Sequence, residues 1–173
     1  FILFLILPML YSNVHFGLQS YYDWYTSLSG KNIENESLVS MQDFSIMGIV
    51  RRISGDASIS SLYFILPGLV FFGLPYLRIK QYKEVAFQLM ILCSTLLFLV
   101  LFSSSSESPT YIIAVTGVMI WFIVQKEKTP FIIFLLFFVL IFTCFSTSDL
   151  FPRSIKDNYI KKYSLKALPC AVF

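Results

Sequence analysis

The chain has 173 residues, is 57% hydrophobic and 13% charged, and carries a formal net charge of +3. Its mean hydropathy is +0.74, and a soluble domain of this length has no interior large enough for 19 phenylalanines. The apolar runs are continuous and do not alternate, which excludes a barrel and predicts an all-α, polytopic membrane helix bundle. A single integral membrane domain is expected, and no nucleic-acid partner.

Residues 1–11 read as a partial span. They are apolar from Phe1 onward, with none of the basic flank that opens a signal peptide. Residues 12–60 read as an external loop. Within it, Tyr21, Tyr22, Trp24 and Tyr25 cluster around Asp23, as a belt at headgroup level or a surface for stacking sugar rings. His15 has no metal-ligand partner near it in sequence and reads as an interfacial bystander. Asn32 to Ser40 reads as a flexible loop, and its Asn35-Glu36-Ser37 triplet is a chance sequon.

Residues 40–55 predict an interfacial amphipathic helix, too short and too charged to span. Ile46, Ile49, Val50 and Ile53 make its apolar face at i, i+3, i+4 and i+7, with Ser45, Gly48 and Arg52 opposite. Ser40 is the expected N-cap, Asp43 the acid of the first turn, Arg51 and Arg52 the cations of the last turns, and Gly55 the stop.

Four runs follow, 62–77, 85–102, 110–124 and 130–145, each at or slightly under the roughly 17–25 residues of a span. Pro67, Gly68, Gly73 and Pro75 predict a kink or break in the first. Residues 149–166 form a basic loop, and 167–173 open another apolar run. The chain therefore reads as an internal fragment with partial spans at both ends.

Short joints make consecutive runs antiparallel. Arg78, Lys80 and Lys83 lie in one joint and Lys126 and Lys128 in another, two spans apart. The positive-inside rule places both in the cytoplasm. The Ser103–Ser108 joint and the 12–60 segment then face outward. Alternation also puts Arg153, Lys156, Lys161, Lys162 and Lys166 outside, against the rule, and handling of anionic lipid phosphates would account for them.

Phe102 to Tyr111, FSSSSESPTY, is the second informative stretch. Ser108 and Pro109 suit an N-cap and first turn. Glu107 is a lone carboxylate at the mouth of a bundle, either functional or an ornament of a solvated turn. Cys93, Cys144 and Cys170 have no metal or redox spacing and read as apolar core residues. There is no Walker motif, GxGxxG, GxSxG or paired-histidine pattern.

MQDFSIMGIVRRISG resembles the "NQS…G…RR" segment of glycosyltransferase family 87, with Ser45, Gly48, Arg51 and Arg52 the best matches and Met41 to Phe44 departing from Asn-Gln. SSSSESPTYIIAV is similar to the later family segment, where Ser and an acid open a span. Glu107, Ser108 and Pro109 stand where actinobacterial members usually carry His. The resemblance covers most of the chain, roughly the second half of such an enzyme.

It implies a C-type glycosyltransferase fold in a bacterial inner membrane, moving a hexosyl or pentosyl unit from a polyprenyl-phosphate donor to a glycan or glycolipid acceptor outside. The family's main acid lies in an earlier external loop, which leaves Glu107 as the catalytic candidate in this stretch. Substrate-binding candidates are Gln42, Asp43, Ser45, Arg51, Arg52, Glu107 and Tyr111. Arg51 and Arg52 would bind the departing phosphate, or else snorkel to headgroups. No cofactor is expected, and a divalent-metal requirement stays open. The rival readings are a transporter or flippase, suggested by the Pro67/Gly73 run, an O-antigen ligase or polymerase, and a structural membrane subunit.

Overall fold

The computed structural model describes residues 2–38, 40, 42–146 and 148–173. Phe1 of the expected partial span and Met41 of the expected 40–55 helix fall outside the described residues. So do Val39 and Thr147. The regular structure of the described residues is helical, without strands, so the expected all-α class is right. They divide into two compact units, 1–34 and 35–173.

The first unit is a helical hairpin of α1 (Ile2–Tyr11) and most of α2 (Val14–Asn35). Its joint is two residues long. Asn13 Oδ1 accepts from the His15 amide at 3.1 Å and so starts α2. Close approach is possible because residue 17 is glycine: a Cβ there would stand 2.7 Å from Met9 Cγ. Tyr21 donates its hydroxyl to Leu5 O at 2.6 Å. The expected loop over 12–60 is thus corrected, since α2 alone takes 22 of its residues. The sequence hid this because α2 has no sustained apolar stripe. Tyr22, Trp24 and Tyr25 all lie exposed along it. The flexible loop expected from Asn32 is helical as far as Asn35.

The second unit is built on the antiparallel pair α5 (Val85–Leu101) and α6 (Tyr111–Val124). Cys93, Leu97, Val100 and Leu101 pack with Ala114 and Val118 as the core. Gly117 lets the backbones approach, since a Cβ there would stand 3.1 Å from Cys93 O. The remaining elements are α3 (Ile46–Ser54), α4 (Leu62–Gly73) with its 3₁₀ turn Leu74–Leu77, and α7 (Pro130–Val139) running into a π-helical turn at Leu140–Cys144. The basic segment forms helical turns at Arg153–Ile155 and Lys156–Lys161 rather than an irregular loop. A last turn, Leu168–Ala171, returns Ala167 and Cys170 to the core.

The four apolar runs therefore become helices close to their expected bounds. Their lengths fall short. Among the described residues no helix is long and apolar enough to cross a membrane. The longest of the four, α5, has 17 residues, which at about 1.5 Å per residue is roughly 25 Å, against a hydrocarbon core of about 30 Å. Each run ends where its chemistry changes: at the Leu74-Pro75 turn, at Ser103, at Gln125, and at the π turn before Phe145.

Candidate functional site

The two stretches singled out in the sequence come together at one end of the α5–α6 pair. Phe44 donates its amide to Ser106 O at 2.9 Å. The Tyr111 hydroxyl donates to Phe44 O. Ser164 Oγ, from the end of the basic segment, donates to Asp43 O at 3.1 Å. Ser106 Oγ closes the end of α5 by donating to Val100 O at 2.5 Å. A loop before a short helix, a turn of serines and the basic segment are thereby stitched through main-chain atoms.

Local chemistry explains how α3 starts. Ser45, not Ser40, is its N-cap, with extended backbone and its hydroxyl oxygen accepting from the Gly48 amide at 3.1 Å. The same hydroxyl donates to Asp43 Oδ1 at 2.5 Å, and the Ser45 amide reaches that oxygen at 3.2 Å. Gly48 is the residue that lets Asp43 fold back: a Cβ there would meet Asp43 O and stand 2.7 Å from its carboxyl carbon. Gly55 ends the helix in the left-handed region, φ 71°, as expected of the stop.

The buried face of α3 corrects the sequence reading. Met47, Gly48, Ile49 and Arg51 are buried, whereas Ile53 is 65% exposed. Arg51 is 1% exposed. Its Nη1 pairs with Asp43 Oδ2 and its Nη2 with Glu36 Oε1, each at 3.0 Å. Nε donates to Ile59 O at 3.0 Å and Nη2 to Ser61 Oγ at 2.7 Å, while Ser61 donates to Glu36 at 2.8 Å. This guanidinium turns inward because four polar partners receive it, namely Asp43, Glu36, Ile59 O and Ser61 Oγ, a pattern that hydrophobic spacing does not register. Arg51 and Asp43 are thus committed to each other inside the fold. Burial raises the Asp43 pKa, opposed by the Ser45 hydrogen bonds and the Arg51 charge.

Arg52 differs. It is half-buried, lies with its guanidinium carbon 5.7 Å from the Phe44 ring centroid, and donates through Nη2 to Ser40 O. Its Nη1 is buried and has no hydrogen-bond partner among the described residues, and burial lowers its pKa against the pull of Asp43. Glu107 is exposed and makes no ion pair among the described residues. Gln42 is exposed, and its amide donates to Ser40 Oγ at 3.2 Å. Tyr111 is 2% exposed with its hydroxyl spent on Phe44, and Ser45 is fully buried in its cap. Both hold the loop in place.

Sequence reasoning missed Glu36, Ser61 and Ser164, whose partners are 15, 10 and 121 residues away. No local pattern marks such pairs. Lys166, set apart in the sequence only as one of five wrong-sided cations, joins them. It is 6% exposed, and its Nζ donates to Ser108 O at 3.1 Å and Ser108 Oγ at 2.6 Å. Ser108 therefore serves Lys166, and no side-chain cap opens the Ser108–Thr110 turn. The wrong-sided charge of the basic segment was the signal for Lys166. Asn35 of the sequon is 2% exposed and donates to Ser105 Oγ at 3.1 Å, so the folded chain closes it to modification.

An apolar groove of about 420 Å³ runs beside this end, between Ile46, the Gly68–Phe72 part of α4, and α5 from Met90 to Phe102. Phe72, Phe98 and Phe102 stack along it at 4.7 Å spacing. No family model matches the chain, and no curated protein or solved structure matches it either.

Proposed function

We propose that the protein is a multi-span membrane glycosyltransferase of the inner membrane, moving a hexosyl or pentosyl unit from a polyprenyl-phosphate donor to a glycan or glycolipid acceptor on the external face. One observation carries the reading. The two stretches that resemble family 87 lie about sixty residues apart in sequence, yet Phe44 and Ser106 are hydrogen-bonded at 2.9 Å. A site assembled from both needs that junction.

The surroundings suit an amphiphilic donor. Polar and cationic groups gather at the junction, and an aromatic groove leads from Ile46 along α5. The wide apolar exposure of α4 and α7, such as Leu66, Phe71, Phe131, Phe134 and Phe137, favours lipid as the surrounding medium. Helices shorter than a full span are accommodated by a locally thinned bilayer.

Within this reading the donor phosphate goes to Arg52, whose Nη1 has no partner among the described residues, and not to Arg51, whose charge two carboxylates already meet. Glu107 is the acid that remains free to act on a sugar hydroxyl or leaving oxygen. Arg52→Gln in the full-length enzyme should raise the donor KM while leaving folding intact. An unchanged donor KM removes Arg52 from the role.

A further inference from the structure

We propose that Lys166 and Ser108 form an oxyanion-binding subsite for a phosphate ester, placed at the foot of the serine turn. Lys166 lies in the 3₁₀ turn Leu165–Ala167, with Thr143 Oγ1 donating to its carbonyl at 3.2 Å. The main chain is therefore fixed and the ammonium position is set. An ammonium group has three N–H donors. Ser108 O and Oγ take two of them. One donor and the whole charge are left over, since no carboxylate reaches Lys166 among the described residues. The Tyr111 ring face, 5.7 Å away, offsets a little of that charge.

A buried cation without a counter-ion is costly, and proteins normally pair it. Burial indeed lowers the Lys166 pKa, opposed by nearby Cys144 and Cys170. Ser108 is only half-buried. Its hydroxyl oxygen accepts from Lys166 and keeps its own proton to donate. A phosphate ester has several acceptor oxygens, enough to take both that proton and the third Nζ–H, and lysine binds phosphate as a point charge. The assignment rests on the donor reading only for its natural ligand, because a polyprenyl-phosphate sugar is a phosphodiester. Its test requires no sugar transfer.

The test is thermal unfolding of the detergent-solubilised full-length protein at fixed ionic strength, titrated with inorganic phosphate, with a short-chain phosphodiester lipid, or with chloride. The expected result is a saturable rise in midpoint with phosphate or the lipid and none with chloride. A response to both ligands assigns a general phosphate site, and a response to the lipid alone assigns a lipid headgroup. Lys166→Met should weaken the apparent affinity roughly tenfold or more, Ser108→Ala should weaken it less, and Lys166→Arg should keep it. If Lys166→Met does not fold, Ser108→Ala decides. No response to either ligand, or an unchanged affinity in these two variants, overturns the subsite. A phosphate response in an enzyme that transfers no sugar keeps the subsite and removes the donor reading.

Discussion

Arg51 Nη1 stands 3.0 Å from Asp43 Oδ2, and the two side chains are 1% and 3% exposed. This pair, with Glu36 on the other side of the guanidinium, fixes the loop that leads into α3. Removing one partner of a buried pair leaves the other charge uncompensated, at a cost of about 3–5 kcal/mol. Arg51→Met should therefore lower stability by that order in denaturant unfolding. Arg51→Met combined with Asp43→Leu should recover part of the loss. A single variant as stable as the wild type would show that the pair does not hold the loop.

How much of this was legible in the sequence differs by element. The runs that became α4 to α7 were visible because apolar continuity needs no knowledge of partners. The cap at Gly55 was visible because a left-handed stop selects glycine. The inward turn of Arg51 was not. Its counter-charges come from Asp43, eight residues back, and Glu36, fifteen back, both in the non-helical stretch before α3, where no helical periodicity relates them to Arg51. Helix α2 was hidden for the opposite reason: mixed polar and aromatic residues give it no stripe, and the hairpin contact at Gly17 and Met9 holds it instead.

Gly48 offers a sharper local test. A methyl there meets the Asp43 carbonyl oxygen and carboxyl carbon, and the former is backbone that cannot rotate away. Gly48→Ala should cost about 1–3 kcal/mol, as overpacking does. Gly30, within α2, has nothing within 4 Å of its added Cβ. Gly30→Ala should be neutral or stabilising by about 0.5–1 kcal/mol. Paired thermal melts of the two variants would separate a steric requirement from mere helix propensity, and equal effects would contradict the packing at Asp43.

Tyr111 joins the serine turn to the loop before α3 through its hydroxyl bond to Phe44 O. Tyr111→Phe leaves that buried carbonyl without its partner, a loss of about 1–3 kcal/mol. Donor KM should then worsen as well, because the junction positions both stretches. Stability and KM both at wild-type values would mean that the bond does not carry the junction.

Lys166 provides a pH signature. Burial holds its folded pKa below the ordinary 10.5. Between the folded value and 10.5, the unfolded chain binds more protons than the folded one, so stability rises with pH across that window. The contribution is present in full above 10.5 and is lost as pH falls through the folded pKa. In phosphate-free buffer, wild-type stability should gain on that of Lys166→Met as pH is raised toward 10.5. Parallel pH profiles would show that Lys166 is not a desolvated cation.

The most direct measurement of the central claim is sugar transfer itself. Membranes carrying the full-length protein are incubated with labelled polyprenyl-phosphate hexose and pentose donors, and lipid-linked and glycan fractions are separated. Label should pass from at least one donor to acceptor, less of it at sub-saturating donor in Arg52→Gln and more slowly in Glu107→Gln. Label that stays on the polyprenyl phosphate in every fraction, with the protein folded and membrane-inserted, would contradict it.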